Sequence, residues 1–451
     1  MTDTSSIDPC AGIEYQSHSD ALSPKFETSS IHACTGIERL MTFLHDDFDG
    51  LGMGIIVARF DGIFDADRLR LALASVQQRN AKLRAALHTD ATGLPCFHVM
   101  ANAPPIPMEI RRDPDPDMWM TAVLEPPPVP FSPREVPLLR VLLIEHDERR
   151  QTDLVITVHH AIFDGASGLE FLRQIVHFYA YPDCPLSPVD GGFGIAPHGP
   201  RGYLGRLASI LRLIGTVSKR KVIDSIYRPP LTPDEVPSPG AVQRWVLSAE
   251  ETSALVARCR RERTTMLGAL GAATLAALAG EYGWAGKKVA CQVPFGIRAM
   301  LEPPVHPEVF GVFIAGVRFL ASQTESTDFW EQARQFRGQF EQSLERHRRL
   351  ELLRMLSWIK IRPKKMRGRI ATVALNNFGK IARIEANGGP RLTEISTFGK
   401  QHVSGAPLLV QAITVSNRFN MTLRAERLSR ETVRRLGSAM HDTLLQASAE
   451  R

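Results

Sequence analysis

The sequence predicts a mixed α/β protein built in two halves. Three observations carry this expectation. At 451 residues the chain exceeds one typical domain. Short β-branched apolar runs alternate with helix-period segments in both parts of the chain, the pattern of sheets layered with helices. Between the two parts, residues 182–240 turn rich in Pro and Gly and read as a linker. The expected organisation is a flexible lead over 1–33, an N-terminal half over 34–185, a linker over 186–242 and a C-terminal half over 243–451.

The lead is rich in Ser, Thr, Asp and His without periodicity. CAGIE at 10–14 and CTGIE at 34–38 are near-copies, and two instances do not make a repeat architecture. MGIIVARFDG, from Met53, reads as a strand. A helix starts at Phe64-Asp65-Ala66-Asp67 and carries Leu69, Leu71, Leu73 and Val76. The Pro-rich stretch 103–133 reads as loop. PLLRVLLIEHD and TDLVITVHH form a hairpin through the charged turn DERRQ. Inside the linker, Leu204, Leu207, Leu211, Ile214 and Val217 share a helical face, with Arg206, Arg212, Lys219 and Arg220 elsewhere. That pattern fits a helix packed on the body, or a basic surface helix that meets lipid or a carrier protein.

In the second half, Ser248 and Glu251 form a capping box ahead of a helix, and Thr264-Thr265 cap the Ala-rich MLGALGAATLAALAGEY. VACQVPFGIRAML and VFGVFIAGVRFL read as strands with loop, and helices cover about 326–358. ATVALNNFGKI is a strand with a polar end. PLLVQAITVSNRF and NMTLRAE make a hairpin before a final helix.

Composition narrows the function. Apolar residues are 44% and charged residues 23%, as in globular domains. A net charge of +6 is small for this length, and no basic stripe interleaved with aromatics argues for nucleic acid. The six cysteines (10, 34, 96, 184, 259 and 291) are far apart and form no CxxC, so reduced thiols are expected and no metal site. The N-terminus is polar and acidic, unlike a signal peptide, and the longest apolar run is too short to span a bilayer. A cytoplasmic location is the expectation.

The most informative stretch is His159-His160-Ala161-Ile162-Phe163-Asp164-Gly165. It follows the apolar run Leu154–Val158. It precedes a helix whose Leu169, Leu172, Ile175, Val176 and Tyr179 recur at helical spacing. A loop between two rigid elements is a common place for a site. An imidazole titrates near ~6.5 when unperturbed, so His160 can take a proton from an alcohol or amine. His159 alternates in direction from His160, which leaves it a supporting role. Asp164 could orient His160, bind a metal or pair with an arginine, since a buried carboxylate needs a partner. No GxSxG elbow and no suitably placed Cys supplies a nucleophile, which fits direct attack on an activated acyl group.

HHAIFDG matches the HHxxxDG signature of the CoA-dependent acyltransferase superfamily. That group includes condensation domains, Pap-type polyketide-associated acyltransferases and wax ester/diacylglycerol synthases. The chain resembles it from about 35 to 445. NAKLRAAL (80–87) is similar to the family's hPxLR segment without its Pro. The resemblance implies two chloramphenicol-acetyltransferase-like domains side by side, with a channel between them and the motif at its middle. It implies a monomer without a resident cofactor. An acyl group would pass from a CoA or carrier-protein thioester to a hydroxyl, with His160 as general base. Asp164 would point away from the cavity and pair with an arginine, a place matched by Arg298. Gly165 would border the channel of the pantetheine arm. Asn377 and Gly379 in LNNFGK resemble the SNLG element of Pap-type enzymes, with Asn376 in place of Ser, and favour an O-acyltransferase over a peptide-bond former. The basic runs Arg346–Arg349 and Lys360–Arg369 would hold CoA phosphates or an acidic carrier, or are solvated faces. Three other readings stand beside this one: a free-standing condensation-type enzyme that forms amides, a wax ester synthase, and a silent module that docks carrier proteins.

Overall fold

A computed structural model describes residues 30–124, 129–132, 135–189, 192–195, 240–323, 328–347, 371–399, 406–425 and 428–449. The linker helix over 201–223 and the basic runs beyond His347 lie outside the described residues.

The first half is a sheet covered by helices on one face. Its strands are β2 (Met53–Asp61), β5 (Met108–Arg112), β6 (Leu139–His146) and β7 (Gln151–His159). Helices α1 (Gly36–Asp47), α2 (Ala66–Arg79), α3 (Met118–Leu124) and α4 (Gly165–Ala180) accompany them. A three-stranded side sheet runs β1-β4-β3, from β1 (Ile31–Ala33), β3 (Ala85–Thr89) and β4 (Pro95–Val99). The second half is a six-stranded sheet of order β10-β9-β11-β13-β14-β8. These strands are β8 (Ala241–Val246), β9 (Val289–Gly296), β10 (Ile314–Ala321), β11 (Val373–Lys380), β13 (Leu408–Val415) and β14 (Arg418–Ala425). Helices α5 (Ala249–Arg261), α6 (Met266–Tyr282), α7 (Phe329–His347) and α8 (Arg430–Ala449) cover it.

Caps set several of these helices where the sequence signals them. Thr35 and Glu38 form a capping box on α1, so the second CTGIE copy is a helix start. Ser248 and Glu251 do the same for α5, and Thr265 caps α6. The hairpin β13–β14 turns on Ser416 and Asn417, both at positive φ.

Four sequence expectations need correction. Residues 31–33 are not part of a loose lead, because their backbone pairs with β4. The 103–133 stretch is not all loop: it holds β5, which pairs in parallel with β6, and α3, whose Trp119 is fully buried. Residues 309–313 are a loop rather than the start of a strand. Leu71 faces solvent at 62% exposure, while Leu69, Leu73 and Val76 are the buried face of α2.

A fifth feature has no sequence counterpart above. β12 (Arg391–Gly399) belongs to the second half in sequence but pairs antiparallel with β2 of the first. The first sheet therefore runs β12-β2-β7-β6-β5 and takes its edge from the other half. Each half has a core under its helices, and the first core also takes in Phe310, Leu392, Ile395, Ile413 and Val415 from the second half in sequence. A third apolar cluster lies between the sheets: Ile55, Val57 and Val155 from one side, with Val242, Ala374 and Leu409 from the other.

β12 also bolts the seam electrostatically. The Glu394 carboxylate accepts a hydrogen bond from Arg244 of β8 and lies 3.7 Å from Arg59 of β2 and 3.8 Å from Arg418 of β14. Arg59 in turn forks onto the fully buried Asp153 at 2.8 Å. Removing one partner of such a buried set leaves charges uncompensated, at roughly 3–5 kcal/mol. Glu394→Ala is expected to lower the urea midpoint by that order without changing the m-value, whereas the exposed Glu431→Ala is expected to change little.

Candidate active site

The motif sits where β7 ends. His160 N–H donates to Gly52 C=O at 2.7 Å, and Ile162 N–H closes a turn on His159 C=O at 3.1 Å. The chain then enters α4, with Asp164 as its cap: Oδ1 accepts from Ser167 N–H at 2.8 Å.

Asp164 is committed across the seam. Its Oδ1 also accepts from Arg298 Nη2 at 3.1 Å, and its Oδ2 accepts from Phe313 N–H at 3.0 Å. Its own N–H donates to Gly311 C=O at 2.9 Å. Arg298 is held in turn by Ser167 Oγ at 2.9 Å and by the Val309 and His306 carbonyls at 2.8 and 3.2 Å. The Asp164 carboxylate thus takes a backbone donor from loop 309–313 and a side-chain donor from Arg298. These bonds use both carboxylate oxygens on the second half.

The two adjacent histidines have different environments. His159 is sealed. Its Nδ1 accepts from Ala161 N–H at 3.1 Å, so the proton resides on Nε2. Its ring lies 4.3 Å from that of His45, whose Nε2 accepts from Phe131 N–H at 3.1 Å. Burial, with His45 and His160 nearby, pushes the His159 pKa well below the usual imidazole value. His160 is half-buried, and its Nδ1 is shielded from water without a partner among the described residues.

The second half reaches the motif through the end of β11. The pairing of β11 with β13 shifts register between Asn377 and Lys380, so Phe378 and Gly379 bulge. Asn377 Oδ1 accepts from Gly379 N–H at 2.9 Å, and Gly379 takes φ +76°, a left-handed position that suits glycine. This turn throws Phe378 onto Gly165. A Cβ at Gly165 would lie 2.2 Å from Phe378 Cε1. The missing side chain of Gly165 makes room for the Phe378 ring. Asn377 and Gly379 shape that turn. Phe378, Ser167 and loop 309–313 had no signal in the sequence, because each contributes through backbone or packing.

The burial of Cys259 and Cys291 pushes their thiols up to about 12, so neither supplies a thiolate. Among the described residues no cluster of His, Cys, Asp and Glu could hold a metal ion, and no helix is long and apolar enough to cross a membrane.

Two covered half-sheets, side by side, with a histidine motif where they meet, define an acyltransferase-type fold with two chloramphenicol-acetyltransferase-like halves. The family comparisons agree half by half. The family described as "Condensation domain" matches residues 55–187, and "Phthiocerol/phthiodiolone dimycocerosyl transferase C-terminus" matches 237–423. Both are families of the CoA-dependent acyltransferase superfamily that the motif resembles. Polyketide synthase associated protein 5 from Mycobacterium tuberculosis has a similar structure, with a TM-score of 0.67 at 16% identity over 94% of this chain and 99% of that one. The first condensation domain of the calcium-dependent antibiotic synthetase gives 0.67 at 14% identity over 93% and 97%. The trichothecene 15-O-acetyltransferase from Fusarium sporotrichioides gives 0.66 at 12% over 93% and 97%. At these identities the structures speak to fold alone. No curated protein matches the chain in sequence.

Two predictions follow from the packing of the motif. Gly165→Ala should overpack against Phe378 and cost about 1–3 kcal/mol. In a Phe378→Leu background the same change should cost less, a non-additivity read by thermal denaturation in a double-mutant cycle. His159 supplies a pH dependence. Its folded pKa is depressed, so the unfolded chain binds a proton at this site more readily than the folded one. Stability should fall as pH drops below ~6.5, the unfolded imidazole value. His146 works oppositely. The hydrogen bond to Asp153 raises its pKa, so its contribution is complete below ~6.5 and fades only as pH rises through the raised value. His159→Gln should flatten the acid-side slope in urea titrations between roughly pH 5 and pH 7.

Proposed function

We propose that this protein transfers an acyl group from a CoA or carrier-protein thioester to a hydroxyl acceptor, with His160 as general base. One observation carries the reading. His160 is the motif imidazole left half-exposed and unbonded, while its neighbours His159 and Asp164 are fully engaged in holding the loop. The two family matches support acyl transfer as the reaction class, and those families work without a resident cofactor.

In this reading the acceptor oxygen attacks the thioester carbonyl as His160 takes its proton. The tetrahedral intermediate collapses, the carbon–sulfur bond breaks, and the protonated imidazole gives the proton to the leaving thiolate. The thioester is already activated, so no covalent enzyme intermediate is needed. Asp164 orients the loop instead of the base. Its loss would act mainly through folding, since a buried charge network would be broken.

Amide formation is the second reading. It is favoured by the match of the condensation-domain family to residues 55–187, the part that holds His160. Resemblance of Asn377 and Gly379 to the Pap-type element favours the ester.

Release of free thiol from an acyl-CoA, with alcohol and amine acceptors in competition, tests both readings. The ester product should dominate. His160→Ala should lower turnover by ~10²–10⁴ with an unchanged melting temperature. Near-full turnover in that variant removes His160 from the mechanism. A dominant amide product overturns the choice of acceptor.

A further inference from the structure

We infer that Gln292, Asn376 and Gln411 form a recognition patch for a substrate that carries a hydroxyl beyond the reacting one. This deepens the transferase reading above and rests on it. Strand alternation places all three on the seam face of the second sheet. On β9, Cys291 and Val293 point into the core under the helices, so Gln292 points the other way. On β13, Val410 and Ala412 are core residues, and Leu409, two residues before Gln411, belongs to the cluster between the sheets. Asn376 of β11 is the register partner of Gln411, two residues beyond the seam residue Ala374.

Two details mark this patch as built for a ligand. The Oε1 atoms of Gln292 and Gln411 are shielded from water and have no hydrogen-bond partner among the described residues. An unpaired buried acceptor is costly, and the neighbouring seam positions Ala374 and Leu409 carry apolar side chains without penalty. The carboxamide of Gln292 also lies over Gly316 of β10: a Cβ there would stand 3.0 Å from Nε2. The missing side chain at 316 leaves room for it. All three residues are half-buried rather than sealed.

The chemistry of the occupant follows. A carboxamide both donates and accepts, and so does a hydroxyl, so the pair is satisfied whichever way the amide is turned. A plain alkyl chain would leave both oxygens unpaired. A site built to bond a hydroxyl discriminates against the analogue that lacks it.

The test uses four substrate combinations with the full chain. Octanoyl-CoA or 3-hydroxyoctanoyl-CoA serves as donor, and 1-octanol or 1,2-octanediol as acceptor, with free thiol as the readout. The wild-type protein should favour the hydroxylated member of the donor or the acceptor pair by about tenfold in kcat/KM, the effect of one hydrogen bond. Gln292→Leu and Gln411→Leu should each shrink that ratio toward one. Their melting temperature should hold or rise, because an unpaired buried acceptor is gone. Thiol release without any preference in the wild-type protein overturns the inference and leaves the transferase reading intact. So does an unchanged ratio in both variants. No thiol release in any combination counts against the transferase reading itself, and the inference falls with it.

Discussion

The site depends on the capture of one carboxylate. Asp164 lies in the first half, but every partner beyond its own helix cap is in the second: Arg298, the Phe313 N–H and the Gly311 carbonyl. A carboxylate taken out of water is stable only when its lone pairs are met, and here donors on both sides of the seam meet them. The motif loop is therefore pinned where the halves join. That pinning fixes the start of α4 and the end of β7, and His160 sits between them.

The seam itself is divided in character. Around Ile55, Val57, Val155, Ala374 and Leu409 it is a dry apolar core, and β12 carries the first sheet across it. Next to that core lies the Glu394 ion-pair set, which ties β2, β8 and β12 together. Toward β9 and β10 the inner face stays half-exposed and polar. The Phe378 bulge belongs to the same economy of space: a two-residue excursion of β11 fills the notch that Gly165 leaves.

Much of this was legible before any coordinates. The hairpin that ends at the motif, the capping boxes at Thr35 and Ser248, the Ala-rich buried helix and the terminal hairpin all follow from local rules of spacing and capping. Other parts were hidden for equally local reasons. MEIRR and MWMTAVL sit among prolines, so β5 and α3 were masked by turn signals. RLTEISTFG alternates too weakly to announce β12, whose partner lies more than three hundred residues away in sequence. At Leu71 the helix period was right and the choice of face was not, since burial depends on what the helix packs against.

By itself the sequence determined the two-halved α/β plan, the strand–motif–helix order and the resemblance to the superfamily, because these rest on residue type and short-range spacing. Tertiary structure alone decided which face of β9 and β13 meets the seam and what fills the space at Gly165. Those outcomes depend on contacts between segments that are distant in the chain. No local pattern encodes such contacts, and only the closing of one half on the other creates them.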